Sequence, residues 1–208
     1  FLRPFFDSDM ELYQMFIDEV DALIHLDKYG ITPKIYGVYV DLEKDEMYYI
    51  LEKLDCSLGD MLRNKTFKSE FVNLFIDVII KLLKTKYRHT DLHIENVMFN
   101  KNKKKFYLID FGKQRVLTKM NKEGLFFTQG SNSDEDIAFI SMSKDLKQGV
   151  MGTSGFSALG TVYRYVFNRN DKHSNEALKK IRELISKIVP KRKYAKIIEV
   201  LETGKNYF

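Results

Sequence analysis

Two short motifs contain the residues whose types and spacing could do chemistry. The first, at residues 89–96, has the form H-x-D-x-x-x-x-N and includes Asp91, His93 and Asn96. The second is the triplet D-F-G that starts at Asp110, at the end of an apolar run. Carboxylate and amide oxygens are the hard ligands that suit Mg²⁺. A further carboxylate beside them can orient a hydroxyl, as phosphoryl transfer requires. The two motifs therefore point to phosphoryl-transfer chemistry.

A long helix and a β-hairpin are predicted to position these motifs. Hydrophobic residues recur at helical spacing over residues 69–86, directly before the first motif. Apolar segments at 97–99 and 106–109, joined by a lysine-rich turn, predict a hairpin between the two motifs. Such a hairpin would return the chain so that Asp110 lies beside Asn96.

The remaining pattern predicts one helix and two strands before this region, and helices after it. The first helix is predicted from Asp9 to Tyr29, with Ser8 and Glu11 as a capping box. Strands rich in Tyr, Val and Ile are predicted at 35–41 and 47–51. Further helices are predicted at 57–63, 133–146, 156–167, 174–188 and 191–201. This order of elements indicates the α+β class.

The composition restricts the class of protein. The chain has 208 residues, of which 44% are hydrophobic and 30% charged, the balance of a globular domain. The single cysteine, Cys56, excludes a disulfide framework and a cysteine-based zinc site. No apolar run reaches the roughly 18 residues of a membrane span, and the first residues do not resemble a signal peptide. We therefore expect a cytoplasmic protein without a membrane partner. The lysine- and asparagine-rich composition without tryptophan is compatible with a viral genome. For a viral protein, the expected cytoplasmic location would be the cytoplasm of the host.

Together, the two motifs resemble the catalytic loop and the metal-binding motif of the protein-kinase superfamily. The resemblance extends over about residues 8–150 and implies a kinase-like α+β fold. Residues 1–54 would form a partial N-lobe that ends at the hinge, and residues 55–208 a mostly helical C-lobe. The implied cofactors are ATP and Mg²⁺. Asp91 would be the catalytic base or hydroxyl-orienting group, and Asn96 and Asp110 would bind the metal.

The resemblance continues upstream, at the first helix and at the strand before the hinge. Glu19 lies on the apolar side of the helix, where kinases carry a glutamate that pairs with a phosphate-binding lysine. A solvated glutamate at the edge of that stripe is the alternative. Leu51 would be the gatekeeper, and the backbone groups of Glu52 and Leu54 would bind adenine.

Two further residues have both a kinase-like and an ordinary interpretation. Cys56 could lie at the rim of the nucleotide site or be a small buried residue. Asp136 resembles the aspartate that hydrogen-bonds the catalytic-loop backbone, but an aspartate that interacts with a helix N-terminus fits it almost as well.

The sequence also departs from the protein-kinase pattern. No glycine-rich loop or strand lysine precedes the first helix in this sequence. His93 replaces the lysine that contacts the γ-phosphate, as in aminoglycoside phosphotransferases and choline kinases. It could still donate a hydrogen bond, or it could be a packing residue.

Thr90 replaces a common arginine, so activation by loop phosphorylation is not expected. The absence of Ala-Pro-Glu and the brevity of the segment after Asp110 are shared with RIO-type kinases.

We expect a divergent serine/threonine protein kinase with a protein substrate. A small-molecule kinase and a pseudokinase that serves as a binding module are the alternatives. The net charge of +5 is partly carried by basic residues between 179 and 193. At helical spacing these residues predict a solvated helix face, so we do not expect nucleic-acid binding.

Overall fold

The computed structural model describes residues 9–41, 43–44, 46–85, 89, 92–111, 158–169, 171–188 and 191–203. Its elements are, in chain order, α1 (Asp9–Asp27), β1 (Ile35–Asp41), β2 (Glu46–Leu51), β3 (Cys56–Ser57), α2 (Leu58–Arg63), α3 (Phe71–Leu83), a 3₁₀ turn (Ile94–Asn96), β4 (Val97–Asn100), β5 (Lys105–Leu108), α4 (Ala158–Phe167), α5 (Lys172–Ile188) and α6 (Lys191–Thr203). The chain therefore belongs to the α+β class, as predicted. The helix predicted at 133–146 lies outside the described residues.

Two small antiparallel sheets form the β structure of the described residues. One consists of β1 and β2, and the other has the order β3-β4-β5. The β4–β5 hairpin was predicted from the sequence. The strand β3 was not, because two residues leave no periodic signal; it is defined by pairing with β4, in which Cys56 lies opposite Phe99.

The end of α1 is tied to the β4–β5 hairpin. The helix closes with Gly30 at φ +61°, a left-handed conformation that suits glycine. A side chain there would also approach the Lys105 ammonium group, which lies 2.8 Å from the position of a Cβ. The chain then turns so that the carbonyl of Ile31 accepts a hydrogen bond from Leu108 N–H at 2.7 Å. This bond sets the position of α1 relative to the end of β5.

The hairpin packs on α3 through aromatic side chains. Phe75 and Phe106 make an edge-to-face contact with ring centroids 6.2 Å apart, and both are fully buried. On the opposite side of the helix, exposed Asp77 pairs with Lys81 at 2.7 Å. The predicted helix 69–86 is thus confirmed over Phe71–Leu83.

The C-terminal helices are joined by a polar network around a buried tyrosine. Tyr163 on α4 has no exposed surface, and its hydroxyl donates to Glu202 Oε1 on α6 at 2.6 Å. Arg182 on α5 donates from Nε to the same hydroxyl at 2.9 Å and also pairs with Glu202. Burial is the main cause that raises the pKa of Tyr163 above its ordinary range, and the hydrogen bond to Glu202 raises it further. In the described ranges, no helix is both long and apolar enough to cross a membrane.

Replacing Tyr163 by Phe is expected to lower the free energy of unfolding by about 1–2 kcal/mol. The change removes a buried hydroxyl that bonds to two charged groups, while Arg182 and Glu202 remain paired. Urea denaturation would measure the loss. Tyr13→Phe is the matched control, because Tyr13 is 45% exposed and its hydroxyl has no hydrogen-bond partner within the described residues. Equal stability of the two variants would contradict a stabilising role for the network.

Candidate functional site

The register of the β4–β5 hairpin brings Asn96 and Asp110 together. Val97 lies opposite Leu108, so the residues flanking this pair, Asn96 and Ile109, also face one another. The N–H of Ile109 donates to the carbonyl of Asn96 at 3.1 Å and extends the ladder by one bond. Asp110 follows Ile109 directly, and its Oδ2 lies 3.4 Å from the Asn96 amide nitrogen. Two predicted metal ligands thus meet, although they are fourteen residues apart in sequence.

Asp110 adopts a backbone conformation that residues other than glycine seldom occupy. Its φ is +61°, in the left-handed region. The neighbours on both sides hold it there. Phe111 is fully buried and packs on the His89 ring at a centroid distance of 4.6 Å, and His89 Nε2 lies 2.8 Å from the carbonyl of Ile109. The first motif therefore supports the backbone of the second, while Asp110 itself is exposed.

Glu19 on α1, which the helix pattern predicted as a site residue, lies near Asp110. Its half-buried carboxylate lies near the hydroxyl of Tyr49 and the backbone N–H of Phe111, which both favour its charged form. Burial is the main cause of the raised pKa of Glu19, and the negative charge of Asp110 raises it further. Within the described part of the chain, no lysine or arginine forms an ion pair with either carboxylate. Two neighbouring carboxylates of this kind create a site that favours a cation.

The segment after β2 leaves backbone groups available for a ligand. Leu51 is the last residue of β2, and the N–H of Glu52 continues the ladder by donating to the carbonyl of Lys34 at 2.7 Å. Beyond that bond, neither the carbonyl of Glu52 nor the N–H of Leu54 has a hydrogen-bond partner among the described residues. The pairing resumes at Asp55, whose N–H donates to Phe99. Residues 52–54 therefore form the kind of open strand-to-linker backbone that the sequence predicted.

The side chain of Glu52 has a role that sequence reasoning missed. It is 9% exposed, accepts a hydrogen bond from the Asn100 amide at 2.9 Å, and pairs with Lys103 at 2.7 Å. These contacts join the linker to the β4–β5 turn across a sequence separation of 48 residues. The prediction used only the backbone of Glu52, because no local pattern identifies such a distant partner.

His93 begins the 3₁₀ turn that carries Asn96. Its Nδ1 accepts a hydrogen bond from the N–H of Glu95 at 3.2 Å. In a neutral imidazole whose Nδ1 accepts, the proton is on Nε2. His93 thus has a structural role as the cap of the turn, and Nε2 is the atom with which it could donate to a phosphate.

Two of the predicted residues fall outside the described ranges, and a third, Cys56, lies in β3. Asp91, the predicted catalytic carboxylate, lies outside the described residues, as does Asp136. Cys56 is half-buried in β3, and burial raises the pKa of its thiol.

The described residues fit a magnesium site completed by a ligand. Among them, no group of three or more His, Cys, Asp or Glu side chains could hold a metal ion alone. Asn96 and Asp110 would supply two ligands, and Mg²⁺ is commonly bound by one or two protein side chains together with phosphate oxygens and waters. The donor chemistry therefore suits a metal that arrives with a nucleotide.

A separate cavity of about 510 Å³ lies between the N-terminal ends of α3 and α5. Its lining mixes both signs of charge, with Lys68 and Arg169 beside Glu70 and Asp171. None of the described site residues lines it. We place the candidate site at Asn96 and Asp110, because the chemistry of the side chains converges there.

Comparison with known proteins does not identify the chain. No protein-family model matches it, and no curated protein does. The function is therefore inferred from the residues and their geometry.

Replacing Glu19 by Gln is expected to stabilise the fold at neutral pH. The charged carboxylate is disfavoured by burial and by Asp110, whereas a neutral glutamine of the same size avoids both costs. A raised pKa means that the folded state holds this proton more tightly than the unfolded state. The wild type is therefore destabilised as the pH rises from the unfolded pKa through the folded one.

Thermal unfolding of both proteins between pH 4 and pH 8 would measure this effect. The advantage of Glu19→Gln should be present at pH 8 and shrink as the pH falls. Glu183→Gln is the control, because Glu183 is an exposed glutamate on α5. An advantage of Glu19→Gln that does not vary with pH would show that the burial of charge is not its cause.

Proposed function

We propose that this protein is a phosphotransferase of the protein-kinase type that uses ATP and Mg²⁺. The observation that carries the proposal is the meeting of Asn96 and Asp110 at 3.4 Å, with the half-buried Glu19 beside Asp110. A turn residue without function would not need an exposed carboxylate held at positive φ beside a fully buried phenylalanine. The exposed Asp110 and the buried Asn96 would instead supply two of the ligands of a metal-bound phosphate.

In this proposal, the two motifs have separate roles. Asn96 and Asp110 would hold Mg²⁺, whose charge would neutralise the phosphates during transfer. Asp91 would orient the acceptor hydroxyl and receive its proton. The acceptor oxygen forms a bond to the γ-phosphorus, the bond from that phosphorus to the β–γ bridging oxygen breaks, and ADP leaves. His93 Nε2–H would donate to the transferred phosphoryl group.

The nucleotide would be held by the linker and by Glu19. The carbonyl of Glu52 and the N–H of Leu54, which have no partner among the described residues, would offer an acceptor and a donor to the edge of a planar base, with Leu51 behind them. Glu19 would pair with a cationic group that grips the phosphates. Such a cation would relieve the repulsion between Glu19 and Asp110.

We favour serine or threonine side chains of a protein as the acceptor. The reason is the resemblance of the D-F-G triplet, Glu19 and the linker to those of protein kinases. The histidine at position 93 is the feature that supports a small-molecule acceptor. A panel of a basic protein, an aminoglycoside and choline, each with labelled ATP, would decide between the two classes.

Replacing Asp91 or Asp110 by Asn is expected to abolish phosphoryl transfer. Loss of a proton acceptor typically lowers the rate by about 10²–10⁴-fold, and Asp110→Asn should also weaken Mg²⁺-dependent ATP binding. The measurement is γ-phosphate transfer from ATP as a function of Mg²⁺. Asp77→Asn on the exposed side of α3 is the control and should retain wild-type transfer. Transfer that persists in the two site variants would contradict the proposal. If the wild-type protein binds no ATP, the phosphotransferase proposal is wrong and the alternative of a binding module remains.

Replacing Leu54 by Pro is expected to weaken ATP binding about three- to tenfold. Proline removes the backbone N–H proposed to contact adenine, and a typical hydrogen bond contributes about 0.5–1.5 kcal/mol. Leu54→Ala is the matched control, because it shortens the side chain but keeps the N–H. Isothermal titration with ATP would compare the dissociation constants. Equal weakening by both variants would mean that the side chain, and not the backbone, contacts the nucleotide.

A further inference from the structure

A closed set of hydrogen bonds joins the turn that carries Asn96 to α2. Within the turn, Ile94 and Asn96 are buried, whereas the side chain of Glu95 extends to α2. Glu95 Oε2 accepts from the Ser57 hydroxyl at 2.6 Å, and Oε1 accepts from Arg63 Nη1 at 2.5 Å. Both carboxylate oxygens are therefore engaged by α2 and its N-cap.

The groups on α2 that hold Glu95 are themselves fixed. Ser57 and Asp60 form a capping box, in which the N–H of each residue donates to the side chain of the other, at 3.0 and 2.9 Å. Arg63 also donates to Asp60 at 2.8 Å, so that it bridges two carboxylates. Neither Ser57 nor Arg63 can reorient without breaking a second bond. The link is thus rigid at the α2 end.

Gly59 provides the space for this contact. A Cβ at Gly59 would lie 2.6 Å from Glu95 Cδ, well inside van der Waals contact. Glycine inside a helix is about 1 kcal/mol less favourable than alanine. At this position, its absence of a side chain lets the Glu95 carboxylate lie against the helix.

We propose that Glu95 and Arg63 are positioning residues that orient the Asn96 amide toward the metal, through the rigid turn that Glu95 and Asn96 share. This inference rests on the function proposed above. Glu95 does not touch the candidate site, because its carboxylate points to α2. A one-turn 3₁₀ segment is too short to absorb a rotation, so a turn released from α2 would move Asn96 relative to Asp110. Residues that orient a metal ligand typically change metal affinity by 10–100-fold when replaced.

The test compares wild type with Glu95→Gln, Arg63→Met and the double variant. Mn²⁺ binding is titrated with protein and ATP present, and the electron paramagnetic resonance signal of free Mn²⁺ reports how much metal is bound. This readout gives metal affinity independently of turnover. The Mg²⁺ concentration for half-maximal phosphoryl transfer is the second readout. Each single change should raise the dissociation constant for Mn²⁺ and the half-maximal Mg²⁺ concentration about tenfold, and the double change should add nothing beyond the larger single effect. The affinity for metal-free ATP should be unaltered.

Two further variants separate positioning from stability. Gly59→Ala keeps every charge but displaces Glu95, and it should weaken Mn²⁺ binding as Glu95→Gln does. Without the contact, alanine would instead stabilise α2 and leave metal binding unchanged, which would overturn the inference. Lys81→Met is the control for loss of a cation from an ion pair. It should keep wild-type metal affinity.

The outcomes distinguish the inference from the function on which it rests. Wild-type Mn²⁺–ATP binding with unchanged affinity in all three single variants would overturn the positioning role alone. Effects of Glu95→Gln and Arg63→Met that add in the double variant would also overturn it, because the two residues would then act separately. Wild type that binds no metal with ATP would overturn both this inference and the proposed function.

Discussion

The candidate site depends on the register of one short hairpin. The pairing of Val97 with Leu108 makes Asn96 face Ile109 and places Asp110 one residue further along. A shift of one residue would reverse the faces of the strand and turn Phe106 away from Phe75, to the side that Lys105 and Tyr107 occupy. The aromatic contacts of Phe106 with Phe75 and Phe99 therefore select the register in which the two polar ligands meet. Hydrophobic packing here decides the geometry of a polar site that it does not touch.

The segments around the hairpin are held by polar contacts, of which the Glu52–Asn100 bond is buried and the Arg63–Glu95 bond is exposed. Glu52 binds Asn100 and Lys103, so the linker follows the hairpin turn. Glu95 binds Ser57 and Arg63, so the turn before β4 follows α2. The bond between Ile31 and Leu108 fixes α1 to β5. Directional hydrogen bonds of this kind specify relative position more sharply than apolar contacts, because an unpaired buried polar group is costly.

The site itself is arranged at the expense of stability. Glu19 is half-buried near a second carboxylate, which raises its pKa, and Asp110 adopts a positive φ without being glycine. Strain and like charge of this kind persist only where the surroundings enforce them. Here they are enforced by buried Phe111, by His89 and by the hydroxyl of Tyr49. A cation bound between Glu19 and Asp110 would convert the repulsion into attraction, which is why this arrangement is consistent with ligand binding.

The sequence by itself determined the α+β class, the helix before the first motif, and the hairpin between the motifs. These features have local causes: helical spacing in α3, short apolar runs in β4 and β5, and a lysine-rich turn between them. Because a hairpin has a simple geometry, the proximity of Asn96 and Asp110 could also be predicted from the sequence. The strand β3, the partners of Glu52 and the contact between Glu95 and α2 could not. Their interactions join residues that are 32 to 51 positions apart, and no periodicity in the chain records such a pairing. Only the tertiary structure decided that Glu95 lies against Gly59 and that Glu19 lies near Tyr49 and Asp110, because only packing brings these distant residues together.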